Sequence, residues 1–338
     1  MAVSGPSLCA MQVLIIGGTG LISAGIITHL LARKAQVTMY NRGQGERGAP
    51  PQVERITGDR NQVDAFIATF KDRRFDVVID MICFTPAHAE ATLTAFSGRC
   101  EQLIFCSTVC TYGVKVPPQV LVDERFVQEP ISQYGRDKLA CEVLMRRAHA
   151  SGRIATTIIR PSHTYGEGSP LIDQLEFDAA SWRRMERGDP VVLADDGLGL
   201  WQSTHRDDCG KLFAYAALNK RTFGEDYNAT RDEILTWRDY YTAVAATLGV
   251  TPTILSLPAG RIIRRDPERF GLLNEITRFH GAYSSAKAAR DVPEFRCTIS
   301  LMQGAQRTFA DQKQRGAWRD DAADPVYEAL VAEAVSLA

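Results

Sequence analysis

The 338-residue chain carries 39 Lys+Arg against 40 Asp+Glu, a net charge of -1, with 45% hydrophobic and 23% charged residues. That balance is ordinary for a soluble globular protein, and the length suffices for one large core or two moderate ones. It excludes a basic nucleic-acid surface, and apolar runs such as VLII are strand-length, so neither nucleic acid nor a membrane is an expected partner. The first ten residues, MAVSGPSLCA, lack a basic segment and a long apolar one, and read as a loose end rather than a signal peptide. Eight cysteines stand at 9, 83, 100, 106, 110, 141, 209 and 297 without CxxC or Cys/His ligand spacing, so no metal site or disulfide framework is expected and the compartment reads as cytoplasmic.

Residues 11–16 (MQVLII) are an expected strand ending in Gly17-Gly18-Thr19-Gly20-Leu21-Ile22-Ser23, with a helix following through residue 31. Strand, Gly-rich turn and helix aim backbone N–H groups and a helix N-terminus at a pyrophosphate. Ser23 stands where a third Gly often does. The next strand, 37–40, ends in Asn41-Arg42-Gly43. An acid there would bind a ribose 2′-hydroxyl and repel a 2′-phosphate. With no acid and with Arg42 available to a phosphate, the cofactor reading is NAD or NADP with a lean to NADP; a solvated loop arginine is the plainer alternative.

Strands are expected at 53–56, leading to Gly58-Asp59, and at 77–79, leading to Asp80-Met81, with helices at 63–70 and 87–96. A strand at 102–105 runs into FCSTVCTYG, then a Pro-rich loop, then YGRDK. Tyr134 and Lys138 stand four residues apart, on one face of a helix over 134–150 with Ser132 as N-cap. An ammonium beside a phenol favours phenolate and is expected to draw Tyr134 below its reference pKa of about 10. Thr108, at the strand end, is placed to hold a substrate hydroxyl against that base.

The strand at 155–159 runs into Arg160-Pro161-Ser162-His163-Thr164-Tyr165-Gly166. Strands alternating with helices predict an α/β fold, a Rossmann-type doubly wound parallel sheet. After Gly166 the alternation ends. Helices are expected at 172–187, from His205 through 218, and at 237–248 between a Thr236 cap and Gly249, with 227–229 a short returning strand. The expected organisation is a Rossmann domain over 11–166 plus about 202–232, with a smaller interleaved C-terminal substrate lobe over about 167–201 plus 233–315.

As a set, GGTGLIS, Gly58-Asp59, FCSTVCTYG, YGRDK, RPSHTYG and HRDD resemble the motifs of the extended short-chain dehydrogenase/reductase superfamily, NAD-dependent epimerase/dehydratase group, over roughly residues 11–235. The phrasing GLGLWQSTHRDD and LTWRDYY is similar to an atypical branch. The resemblance implies Thr108 as the hydroxyl residue, Tyr134 as acid/base and Lys138 as the holder of the nicotinamide ribose. The cofactor set it implies is Gly17, Thr19, Gly20, Leu21, Ile22, Asn41, Arg42, Asp59, Met81 and Lys138. In such enzymes the tyrosine takes a hydroxyl proton while the carbinol hydride passes to the nicotinamide, and epimerases return it to the other face. A homodimer through helices near 87–97 and 132–149 is implied as well.

The departures narrow the chemistry. Where sugar-nucleotide 4,6-dehydratases carry Asp-Glu after the Thr, this chain has Val109 and Cys110, which speaks against that dehydration. Cys110 sits where the similar GDP-mannose 3,5-epimerase carries a catalytic Cys. A thiol there exchanges a proton on carbon beside a transient ketone if its pKa suits; a cysteine on a buried strand is the plainer reading. His163 stands where many sugar-nucleotide enzymes have Asn, as a substrate ligand or second acid/base, with a satisfied structural histidine the plainer reading. Trp201 falls where several epimerases place a diphosphate-gripping Arg.

The expected function is an NAD(P)-dependent sugar epimerase working through a transient keto intermediate. Its substrate would be a nucleotide sugar or a related nucleoside or sugar phosphate, met by Thr108, Cys110, His163 and Trp201. An NADP-dependent carbonyl reductase or alcohol dehydrogenase is the alternative that Trp201 supports. A non-enzymatic nucleotide-sensing or RNA-binding role is the third, against which the intact Thr108/Tyr134/Lys138 set argues.

Overall fold

The computed structural model describes residues 10–43, 50–114, 121–177, 180–318 and 324–337, so the loose end read from the first ten residues lies, save Ala10, outside the described residues. Strands β1 (Gln12–Ile16), β2 (Gln36–Asn41), β3 (Glu54–Thr57), β4 (Val77–Asp80), β5 (Gln102–Cys106) and β6 (Ala155–Pro161) alternate with α1 (Leu21–Ala32), α2 (Val63–Phe70), α3 (Pro86–Phe96) and α4 (Gln133–Ala150), as the sequence predicts. Short strands follow: β7 (His163–Tyr165), β8 (Val191–Ala194), β9 (Leu200–Trp201), β10 (Ser203–His205), β11 (Asp226–Ala229), β12 (Leu235–Thr236) and β13 (Ile254–Leu257). Between and after them run α5 (Ala180–Arg187), α6 (Arg206–Ala216), α7 (Trp237–Leu248), α8 (Ala259–Arg265), α9 (Ala286–Asp291), α10 (Leu301–Gln314) and α11 (Pro325–Leu337).

Seven strands form one parallel sheet in the order β11-β6-β5-β4-β1-β2-β3. Every residue of β4 and β5 is buried, as strands covered on both faces require, and this is why they read as unbroken apolar runs. Alternate residues feed two layers. Val13, Ile15, Val37, Met39 and Ile104 pack under α1 and α6, while Leu14, Ile16, Tyr40, Leu103 and Phe105 pack under α2, α3 and α4. The strand order reverses between β1 and β4, which opens a crevice at the strands' carboxyl ends where such sheets take ligands.

One close contact fixes what borders that crevice. A Cβ built on Gly25 of α1 would sit 2.4 Å from the Arg206 carbonyl oxygen, and one on Gly210 of α6 only 2.5 Å from the Gly25 carbonyl carbon. The two helices therefore meet backbone to backbone, which brings the start of α6 beside the Gly-rich turn. Beyond the sheet, Trp182, Trp201, Trp237, Tyr240 and Tyr241 build a separate aromatic core, and α8 and α11 pack with β8 and β13 around another. Among the described residues no helix is long and apolar enough to cross a membrane.

The chain corrects one helix. The helical stretch expected over 172–187 begins only at Ala180. The buried Asp173 carboxylate accepts the N–H groups of Leu175 (2.8 Å), Glu176 (3.0 Å) and Ser181 (3.2 Å), so the backbone closes on a side chain instead of on itself. By contrast α7 starts and stops where the sequence places it: Thr236 accepts the Asp239 N–H at 3.0 Å, and Gly249 takes a left-handed φ of 74°.

Candidate active site

At the Gly-rich turn, Gly17 holds a φ of +91°, and a Cβ there would lie 2.6 Å from Ile82 Cγ2, so only glycine fits. Ser23, in the place of a third glycine, donates its hydroxyl to the Gly17 carbonyl at 2.9 Å and so ties the turn to the helix it opens. No side chain caps α1, whose N-cap is Gly20 and whose first turn carries no acid. The uncapped N–H groups at Leu21 and Ile22 border the crevice, a donor set that fits a pyrophosphate.

Across the crevice, Ser132 caps α4 by accepting the Gly135 N–H at 3.0 Å, which sets the helix's rotation and turns Tyr134 and Lys138 into the same cleft as Gly17, Gly20, Met81 and Thr108. Lys138 is only 1% exposed and donates to the Cys106 carbonyl at 2.7 Å. Its ammonium sits 4.9 Å from the Phe84 ring centroid and 5.8 Å from that of Tyr134. An ammonium has three protons, so two are left to point at a ligand. Thr108, two residues past the end of β5, is in extended backbone, and its Oγ1 accepts the Cys110 N–H at 3.2 Å, which opens the tight turn Val109–Thr111.

The expected pull on Tyr134 runs the other way. Although the residue is 44% exposed, its hydroxyl end is enclosed, and desolvation pushes the phenol up from its ordinary value. The nearby Cys106 and Cys110 add to that rise, and a hydrogen bond with Thr108 only partly offsets it. Lys138 does not reverse that rise: its ammonium lies 5.8 Å from the Tyr134 ring centroid and gives one proton to the Cys106 carbonyl. Burial likewise pushes the Cys110 thiol up, so at neutral pH it is a thiol and a proton donor, not a thiolate base.

Beyond Thr108 and Cys110 a cavity of about 190 Å³ opens, lined on its far side by His163, Trp201, Gln202, Glu275 and Tyr283. Two side chains of its wall are linked through the buried Ser203: His163 Nδ1 lies 2.9 Å from Ser203 Oγ, which also accepts the Trp201 indole N–H at 3.0 Å. Trp201 in turn stacks on Trp237 with ring centroids 4.6 Å apart. Desolvation alone pulls His163 down to about 3, so it is neutral across the working range.

That carries a consequence for stability. Unfolded His163 binds a proton near its reference pKa of about 6.5 and the folded residue does not, so falling pH favours unfolding by up to about 1.4 kcal/mol per unit through this group. Urea midpoints of His163→Asn are expected to fall less between about pH 7 and pH 5 than those of the wild type. Parallel pH curves for the two proteins would remove His163 from the balance.

The other sequence-predicted residues lie apart. Asn41 ends β2, Arg42 follows it and Asp59 follows β3, with the Gly58 N–H bonded to the Asn41 carbonyl at 2.8 Å and Asp59 Oδ1 held by the Asn61 N–H at 2.9 Å. Arg42 is exposed. Thr19 opens on a neighbouring groove with Arg206 and Arg315.

Sequence reasoning missed the buried charges behind the cleft. Arg160 donates to Glu142 at 2.8 and 2.7 Å, to Asp226 at 2.5 Å and to the Tyr112 hydroxyl at 2.8 Å, while Ser107 donates to Glu142 at 2.5 Å. Charges at the end of an apolar strand and one turn past Lys138 were the available signal.

Glu167, His205 and Asp207 bring ligand atoms within 4.8 Å of one another. His205 Nδ1 accepts the Asp207 N–H at 3.2 Å, which leaves Nε2 protonated and facing Glu167. Arg307 bridges the two carboxylates at 2.6 and 2.7 Å, so the group is an ion-pair cluster that holds α10 against the start of α6.

Residues 13–230 match the family model described as NAD dependent epimerase/dehydratase family. The chain is 31% identical over 268 residues to 2'-dehydrokanamycin reductase of Streptomyces kanamyceticus, covering 77% of this chain and 75% of that protein. It is 24% identical over 328 residues to the chloroplast stem-loop binding protein of 41 kDa b of Arabidopsis thaliana, covering 92% and 82%. A UDP-glucuronic acid 4-epimerase from Bacillus cereus, solved with UDP-glucuronic acid and NAD, superposes with a TM-score of 0.71 at 21% identity over 90% of this chain and 100% of that one, which shows a shared fold. Because the family match runs from β1 through β11, and so spans the whole central sheet, this chain belongs to the NAD dependent epimerase/dehydratase family, an enzyme of the extended short-chain dehydrogenase/reductase type.

Proposed function

We propose that this enzyme is an NAD(P)-dependent oxidoreductase that interconverts a ketone and a secondary alcohol on a sugar-type substrate without a diphosphate. The observation that carries the reading is the substrate cavity: among its described lining residues there is no Lys or Arg, and Trp201 occupies the wall where a diphosphate would need a cation. A doubly charged phosphate linkage placed there would lose its water with no cation to replace it. The 31% identity with a reductase supports net redox chemistry over epimerisation.

When bound, the nicotinamide supplies or accepts the hydride. The uncapped start of α1 would hold the cofactor's pyrophosphate, and Lys138 would give its remaining protons to the ribose hydroxyls. Thr108 orients the substrate oxygen, and Tyr134 exchanges the proton with it. With both the phenol and the Cys110 thiol pushed up, the unliganded site is poised to donate a proton, the direction a ketone reduction needs. The lobe formed by residues of about 167–201 and 233–315 supplies the substrate walls, and a homodimer through α3 and α4 belongs to the same reading.

Stoichiometric loss of reduced nicotinamide on adding a carbonyl sugar tests this. Formation of an epimer with no net cofactor change would overturn it in favour of the epimerase. For the cofactor, Arg42 at the end of β2 supports NADP. Arg42→Ala is expected to weaken NADPH binding by about tenfold, the size of one charge-assisted contact, and to leave NADH unchanged. Equal affinities in variant and wild type would remove the NADP lean.

A further inference from the structure

We infer that Glu275 makes the substrate cavity selective for a ligand bearing a protonated amine. The inference rests on the cavity being the substrate site of the proposed oxidoreductase and adds the charge of the substrate. Glu275 lies on a π-helical turn, Leu273–Thr277, closed by the Arg278 N–H on the Leu273 carbonyl at 3.3 Å. Such wide turns are rare and are found frequently at functional sites. This one is anchored from behind. The buried Trp237 indole donates to the Thr277 carbonyl at 2.9 Å, and the Thr277 hydroxyl donates to the Gln174 carbonyl.

The anchored turn presents Glu275 to the cavity across from Cys110, whose thiol feels the carboxylate's charge. Among the described residues Glu275 has no hydrogen-bond or ion-pair partner. Arg278 is not one of the lining residues; its guanidinium lies over the Phe279 ring at 4.7 Å. His280, on the same rim, accepts the Leu200 N–H through Nδ1 at 3.1 Å.

The cavity thus offers one unpaired carboxylate, solvent-exposed at its rim, with Trp201 and Tyr283 also lining it. An ammonium satisfies both, pairing with the carboxylate and lying against ring faces, whereas a phosphate is repelled and a neutral hydroxyl gains a hydrogen bond to the carboxylate without the attraction between opposite charges.

Two glycosides that differ only at C2 test the inference: methyl α-D-glucosaminide and methyl α-D-glucopyranoside, at mildly acidic pH where the amine is protonated. In calorimetric titrations of the enzyme saturated with oxidised cofactor, the aminoglycoside is expected to bind roughly tenfold more tightly, and Glu275→Gln to abolish the difference. Equal binding in the wild type, a preference that survives Glu275→Gln, or no binding of either glycoside overturns the inference. Cofactor reduction is followed in the same samples. Preferential binding without turnover counts against the oxidoreductase reading alone, while turnover of both glycosides without preference counts against the role of Glu275 alone.

Discussion

Tyr134→Phe is expected to lower kcat by about 10²- to 10⁴-fold, the usual worth of a positioned proton-transfer group, with cofactor affinity unchanged. The substitution removes one oxygen and keeps the ring that packs 5.8 Å from the Lys138 ammonium, so the cleft and its cofactor contacts are preserved. Lys138 keeps its bond to the Cys106 carbonyl, and Thr108 keeps the Cys110 N–H. What disappears is the phenol hydroxyl that bonds with Thr108 in the cleft. Single-turnover hydride transfer and cofactor titration, measured on one preparation, separate the two effects. Loss of cofactor binding in step with kcat would make Tyr134 a packing residue. Retention of wild-type turnover would end the acid/base assignment of Tyr134 and pass the proton transfer to another group of the cleft.

The raised phenol also sets the pH dependence. A Tyr134 that stays protonated well past neutrality donates its proton throughout the working range, so ketone reduction is expected to fall only on the alkaline side. Alcohol oxidation, which needs the proton removed, rises in the same direction. Opposite slopes for the two directions identify one group acting in both.

How much of this was legible in the sequence follows from the range of the interactions. The turn from Gly17 to Ser23, the Ser132 cap and the limits of α7 rest on contacts within a few residues, and each carries a local signal in composition or spacing. Strands β4 and β5 read correctly because burial on both faces leaves a run of apolar residues. The direction of the Tyr134 shift did not read correctly. Spacing puts Lys138 on the same face, but only the fold shows its ammonium committed to the end of β5. The start of α5 failed for a related reason, since Asp173 looks like any helix-tolerated acid until its three backbone partners are seen. Glu275 is the extreme case: its place in the cavity depends on Trp237 and Gln174, 38 and 101 residues away in the chain.

Arg160→Met is expected to destabilise the fold by about 3–5 kcal/mol, because it leaves a buried carboxylate short of its partner. Arg160 and Glu142 are both 0% exposed, and they tie the end of β6 to α4 one turn beyond Lys138. Burial alone would raise the Glu142 carboxyl. The bidentate bond from Arg160, with help from Ser107 and Arg146, reverses that and holds it below the ordinary range. In the wild type, then, Glu142 contributes stability above its unfolded pKa that is lost as pH falls through the lower folded value. Removing the guanidinium inverts the sign. Desolvation now dominates, the folded pKa rises above the unfolded one, and the variant regains stability on acidification as Glu142 takes up a proton. The stability gap between wild type and Arg160→Met is therefore expected to be widest near pH 8 and to narrow towards pH 5, measured by chemical denaturation with the same denaturant slope. Arg146, at 2.8 Å from Glu142 and 37% exposed, keeps part of the charge paired and sets the loss towards the lower end of that range. Arg160→Met combined with Glu142→Leu is expected to recover most of the loss, since replacing both members of a buried pair removes the uncompensated charge. A gap under about 1 kcal/mol, or one that widens on acidification, would mean that the pair does not hold α4 in place. The alignment of Tyr134 and Lys138 with Thr108 would then have to come from the helix cap and apolar packing alone.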